Sequence, residues 1–247
     1  MTTTHSVVHE ANGVVARPTP QPFFEKQPAK SLSSKTEYEA MYKQSIEDPE
    51  GFFGPMAKKF LSWDRDFTKV KSGTLENGDA AWFLGGELNA CYNCVDRHAF
   101  ATPDKTAIIF EADDESESKE ISFSELLKEV SQVAGVLQSW GIQKGDTVAI
   151  YLPMTPEAII AMLACARLGA VHSVIFAGFS AGSIKERVTD ANSKVLITTD
   201  EGKRGGKTIN NKKIVDEALK DCPSIEKVLV YKLSLIHISE PTRLRCI

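Results

Sequence analysis

Apolar residues along this chain follow two rhythms, and the change comes near residue 105. Ahead of it, Tyr38, Met41, Tyr42 and Ile46 recur at helical spacing behind Ser34 and Glu37, whose offset of three is that of a capping box. A second helix is predicted over Pro55–Trp63. Both pieces are short and aromatic, so their apolar faces require a partner surface. The stretch Ala81 to Arg97, AWFLGGELNACYNCVDR, predicts a turn at Gly85-Gly86 and then a helix. Residues 1–33 mix Thr, Ser, Pro, Gly and single charges with neither period, as expected of a mobile arm or a segment draped over a larger body.

From Thr106 the chain alternates strand with helix. Thr106–Phe110 predicts a strand, DDESES a turn, and Ser122 with Glu125 a capped helix that turns Leu126, Leu127, Val130, Val133 and Leu137 inward and stops at Gly141. Val148–Leu152 predicts a strand. Thr155 then stands at an N-cap, with Pro156 at the first helical position and Gly169 past the end of a helix apolar nearly all round. Strands over 171–175, 195–199 and 227–230 alternate with helices over 183–191 and 212–219, and the pattern breaks at Lys232. Such alternation predicts an α/β fold with a mainly parallel sheet covered on both faces.

Composition narrows the classes. The chain has 247 residues, 42% hydrophobic and 25% charged, with a formal charge of -4, which gives no general attraction to nucleic acid or to an acidic membrane. Its longest apolar run, Ala158–Ala166, is far shorter than the roughly 20 residues a membrane-spanning helix needs. The first twenty residues carry one Arg and no long apolar segment, so a cytoplasmic location, also nuclear, is the expectation. Of five cysteines only Cys91-Tyr-Asn-Cys94 has ligand-like spacing. No second pair follows, so packing thiols are expected rather than a metal site. His98 and His172 stand alone and are assigned to packing or hydrogen bonding.

Open α/β sheets gather ligands at loops after the carboxyl ends of strands. The most suggestive such loop is DEGKRGGKT, Asp200 to Thr208. Its end resembles the phosphate-cradling G-x-x-x-x-G-K-T, but Glu201 stands where the first Gly belongs, which disfavours a P-loop NTPase. Two readings stay open from these residues: a solvated basic turn, or an exposed phosphate met by Lys203, Arg204 and Lys207 among glycines. G-x-G-x-x-G and G-x-S-x-G are both absent.

Four segments, IYLPMTPEAIIAMLACARLGAVHSVIFAGFS, ITTDEGKRGGK, WFLGGELNACYNCVDRH and EDPEGFFGPMAKKFLSWDRDF, together resemble acetyl-coenzyme A synthetases (acetate-CoA ligases) of the adenylate-forming superfamily, over about Tyr38 to Lys232. The resemblance implies the first part of the adenylate-forming large domain, residues 98–232, behind a small helical N-terminal extension, residues 34–97. It implies acetate, ATP with magnesium, and coenzyme A as reactants: acetyl-adenylate and diphosphate form first, then the coenzyme A thiol displaces AMP. Arg204, Gly205, Gly206 and Lys207 match the family's coenzyme A loop, and Phe176 and Gly178 a second coenzyme A-contacting turn. Lys207 stands where bacterial members more often have Arg, and Ala177 where they have Gly, which puts close backbone approach at 177 in question.

The resemblance implies further parts beyond Lys232: a Ser/Thr/Gly-rich phosphate loop, a magnesium-binding acid, an acetate pocket and a C-terminal lysine domain. LSLIHISEPTR, Leu233 to Arg243, instead resembles the translation of a sequencing-library adapter, so residues 233–247 are expected to be foreign. On that expectation the chain is an inactive fragment with half a sheet and an unpartnered edge. The alternative is a short isoform that binds coenzyme A phosphate or a partner.

Overall fold

The computed structural model of the chain describes residues 34–113 and 115–235, with the backbone of strand pairs at 10–11, 14–15 and 245–246. The expected draped arm and the expected foreign tail therefore lie largely outside the described residues. Two compact units are present, residues 1–59 with 70–83 and residues 60–69 with 84–247.

The first unit holds β1 (Glu10–Ala11), β2 (Val14–Val15) and α1 (Lys35–Glu47), and all but one end residue each of α2 (Pro49–Phe60) and the paired strands β3 (Lys69–Ser72) and β4 (Ala81–Leu84). Ser34 caps α1, its Oγ accepting the Glu37 amide at 3.1 Å. On the predicted apolar face Tyr38, Tyr42 and Ile46 are exposed by 56%, 58% and 65%, and Met41 is half-buried. The second helix begins at Pro49, not Pro55. Asp48 closes α1 with its own amide and opens α2 with its carboxylate, which accepts the Gly51 amide at 3.0 Å. Pro55 lies inside that helix. Residues 81–84 form a strand ahead of the turn at Gly85, with Trp82 edge-on to Phe53 at 5.3 Å.

In the second unit a π-helical turn, Tyr92–Asp96, runs into α3 (Arg97–Ala101). It is fastened to the end of a later helix, α5 (Pro156–Leu168), by Asn89 Nδ2 donating to the Arg167 carbonyl at 3.1 Å and by an Asp96–Arg167 ion pair at 2.6 Å. Cys91 is fully buried here and Cys94 exposed; burial pushes the Cys91 thiol up, and His98 lies against Phe123 at 5.1 Å. Next come β5 (Thr106–Phe110) and β6 (Lys119–Ser122), an antiparallel pair. The strand β6 was not expected, because KEIS offers one apolar residue, Ile121.

The main sheet contains β7 (Thr147–Leu152), β8 (Val171–Phe176), β9 (Val195–Thr199), β12 (Lys227–Tyr231) and β13 (Arg245–Cys246) in the order β13-β12-β9-β7-β8. β12, β9, β7 and β8 are parallel. The outer edge of β12 pairs antiparallel with Arg245–Cys246. α4 (Phe123–Ser139) and α5 cover one face, packing Leu126, Val130, Val133 and Leu137 with Val148, Ile150, Ile197 and Leu229. α6 (Ala181–Asp190) and α7 (Asn211–Leu219) cover the other, over Tyr151, Ile175 and Leu196. Within α5 only Ile159 is exposed, and Gly169 ends the helix at φ 71°. Thr155 holds the N-cap position without a side-chain bond to the helix. α6 starts two residues before the expected Ser183, because Ser180 is its cap.

The capping box is present: Ser122 Oγ accepts the Glu125 amide at 3.3 Å, and Glu125 Oε2 accepts the Ser122 amide at 2.8 Å. Both Ser122 donors hold the Glu125 carboxyl below its ordinary range. Ser122→Ala should cost about 1 kcal/mol in urea denaturation. A depressed carboxyl contributes stability above its unfolded pKa, so this contribution is full at neutral pH and is lost as pH falls below the ordinary value of 4.5. Denaturation of Glu125→Gln across that window should show a flatter pH dependence than wild type.

Candidate functional site

The chain runs from β7 through α5 to β8 on one side, then crosses through α6 to β9 on the other side of β7. Strand order thus reverses between β7 and β9, and the crevice outside their carboxyl ends is where an open α/β sheet binds ligands. Two segments leave the sheet beside it: the turn after β8, and residues 200–210 after β9.

Residues 202–209 are a hairpin, not a loop. β10 (Gly202–Arg204) pairs antiparallel with β11 (Lys207–Ile209), with Arg204 opposite Lys207 and Lys203 opposite Thr208. The two linking residues, Gly205 and Gly206, have φ of 55° and 74°. Positive φ at both is what a two-residue type I′ turn demands. A Cβ on either would meet nothing within 4 Å, so glycine serves the backbone conformation there and not space. Lys207 and Thr208 lie in a strand, and α7 begins only at Asn211, so no helix N-terminus opens at Gly-Lys-Thr as a P-loop requires.

The hairpin's alternation separates its three cations. Lys203 points to one side, ion-paired with Glu117 at 2.9 Å. Arg204 and Lys207 share the other side as cross-strand neighbours. Arg204 sets its guanidinium carbon 5.4 Å from the centre of the Phe176 ring, a cation–π contact. Among the described residues no carboxylate forms an ion pair with Arg204 or Lys207.

Phe176 ends β8 and opens a tight turn, in which the Phe179 amide donates to the Phe176 carbonyl at 3.1 Å. Gly178 sits inside it. A Cβ there would lie 3.0 Å from Phe176 Cε1 and 3.1 Å from Arg204 Nη1, so glycine leaves the room these groups occupy. Ala177 packs against the core beneath α6 and α7. Phe176, Gly178 and Arg204 thus meet, with Lys207 beside Arg204 across the hairpin.

Sequence reasoning missed several supports. Buried Tyr151 donates its hydroxyl to the Phe179 carbonyl at 3.1 Å, and burial raises its phenol. Buried Asn211 donates to Thr199 Oγ1 at 2.8 Å and packs against Gly202, where a Cβ would lie 2.9 Å from its Nδ2. Asp200 Oδ1 accepts the amides of Glu201 and Leu233, both at 2.8 Å, fixing the departure of the hairpin from β9. Neither Tyr in a strand nor Asn beside a basic loop carries a signal for these roles.

On the Lys203 side, a cavity of about 340 Å³ lies between the carboxyl ends of β7 and β9 and the β5–β6 hairpin, lined among others by Glu111, Lys119, Thr155 and Glu157. Thr155 Oγ1 and Glu157 Oε2 are buried without a hydrogen-bond partner among the described residues. Its mixed charge sets it apart from the cationic Arg204 side. Among the described residues no three His, Cys, Asp or Glu side chains are grouped to hold a metal ion.

Residues 38–94 match the family described as acetyl-coenzyme A synthetase N-terminus, and residues 95–242 the family described as AMP-binding enzyme. The chain is 70% identical over 241 residues to acetyl-coenzyme A synthetase 2 of Candida albicans, covering 96% of this chain and 36% of that protein. It is 65% identical over 229 residues to acetyl-coenzyme A synthetase 2 of Saccharomyces cerevisiae, covering 92% and 34%. The chain therefore spans about a third of the length of the curated relatives it matches. Among solved structures, acetoacetyl-CoA synthetase from Streptomyces lividans superposes with a TM-score of 0.72 at 24% identity, covering 92% of this chain and 36% of that one, which establishes the shared fold.

If Gly206 serves only the turn, Gly206→Ala should weaken the hairpin by about 1 kcal/mol through left-handed strain, while Gly205→Asn, which tolerates that region, should be nearly neutral. Amide hydrogen exchange across 202–209 would show roughly fivefold faster opening in the first variant and little change in the second.

Proposed function

Because this chain belongs to the AMP-binding enzyme family and carries an acetyl-coenzyme A synthetase N-terminus, we propose that it is the part of an acetate-CoA ligase that receives the nucleotide end of coenzyme A. The reaction assigned to the whole protein is acetate, ATP and coenzyme A to acetyl-CoA, AMP and diphosphate, by way of acetyl-adenylate with magnesium. To this chain, about a third of its relatives' length, we assign binding without catalysis.

The observation that carries the reading is the meeting of Arg204, Phe176 and Gly178, with Lys207 across the Gly205-Gly206 turn. Each residue suits the ligand chemically. Arg204 presents a planar guanidinium able to bond two phosphate oxygens at once, and Lys207 adds a point charge without that fork. Phe176, 52% exposed, offers a ring on which an adenine can stack. Gly178 lets the backbone come close, and the type I′ turn holds the two cations in register.

Calorimetry on the 247-residue chain tests this directly. Coenzyme A should bind, dephospho-coenzyme A more weakly, and Arg204→Ala should lose about tenfold or more in Kd, the loss expected for charge-assisted hydrogen bonds to phosphate. Equal binding by Arg204→Ala would overturn the assignment of the site. Acetyl-CoA formation by the chain from acetate, ATP and coenzyme A would overturn the assignment of binding without catalysis.

A further inference from the structure

The turn after β8 carries a second cation that belongs to neither the basic hairpin nor the matched coenzyme A residues. Arg187, exposed on α6, sets its guanidinium carbon 5.2 Å from the centre of the Phe179 ring. Phe179 meets Phe176 edge-on at 5.8 Å, and Arg204 lies over Phe176 at 5.4 Å. The resulting row is cation, ring, ring, cation, and both rings are partly open to solvent, at 52% for Phe176 and 38% for Phe179.

Its spacing is fixed from below. The Tyr151 hydroxyl holds the Phe179 carbonyl, the Phe179 amide closes the turn on Phe176, and Ser180 caps α6 immediately afterwards. Val188, next to Arg187, is fully buried in the core under α6, so the helix face that presents Arg187 is set as well. Among the described residues no carboxylate forms an ion pair with Arg187. A guanidinium resting on an aromatic face keeps its donors available for an anion.

We propose that Arg187 is a second phosphate-binding residue of this site, across the Phe176–Phe179 pair from Arg204 and Lys207. The ligand class that fits is an adenosine bisphosphate: a planar base to stack on an aromatic face, and two separate phosphates on its ribose, one for each cationic end of the row. This rests on the reading of the site as a coenzyme A nucleotide site, and it adds a residue and a division of labour to it.

The test is calorimetry on the 247-residue chain with adenosine 3′,5′-bisphosphate and, in parallel, adenosine 5′-monophosphate. Arg187→Gln should weaken the bisphosphate about tenfold or more and shrink its preference over the monophosphate, while Arg204→Gln weakens both. Arg187→Lys should restore part of the loss, and unchanged circular dichroism and thermal midpoint would show that the fold persists. Bisphosphate binding by Arg187→Gln within twofold of wild type, alongside a loss in Arg204→Gln, overturns the role of Arg187 and leaves the coenzyme A reading standing. No bisphosphate binding by wild type overturns both.

Discussion

Every feature of the candidate site depends on β7 being paired on both edges. Its residues Val148 to Tyr151 are fully buried, so each backbone amide and carbonyl there needs a ladder partner. Those partners are β8 and β9, in parallel register that sets Leu152 opposite Phe176 and Tyr151 opposite Thr198. The turn that carries Phe176 and Gly178 and the hairpin that carries Arg204 and Lys207 therefore leave the sheet at the same level, one on each side of β7. Two segments separated by some thirty residues are brought face to face by the ladder alone, before any side chain of the site is considered.

Strand alternation then decides which charges act together. A hairpin with a two-residue turn points Arg204 and Lys207 one way and Lys203 the other. Lys203 is drawn to Glu117 on the cavity side. Arg204 lies on an aromatic ring, which attracts a cation without neutralising it. One basic stretch thus serves two surfaces: an internal ion pair that ties the hairpin to the β5–β6 region, and a cationic face directed at the turn after β8.

Much of this was legible where a residue's role is local. Ser122 with Glu125 marked the start of α4, Gly169 the end of α5, and the run of short apolar segments the parallel sheet. What escaped depended on pairing or distance. β6 has a single apolar residue and exists because β5 lies beside it. The hairpin at 202–209 reads as a loop because its residues are mostly charges and glycines, and it is the positive φ of Gly205 and Gly206 that closes the two strands through a two-residue turn. Pro55 reads as a helix start, whereas Asp48 begins that helix earlier. Arg204, Lys207, Phe176 and Gly178 were named through resemblance to a family. That three of them touch, and that Arg187 and Phe179 continue the row, is tertiary information that no spacing encodes.

The most direct measurement is a heteronuclear NMR titration of the chain with coenzyme A, following backbone amides and arginine side chains. Shifts should concentrate in residues 176–179 and 202–209 and in the guanidinium of Arg204, with the cavity residues Thr155 and Glu157 unmoved. Shifts centred on that cavity, or none at saturating ligand, would contradict the assignment of the site.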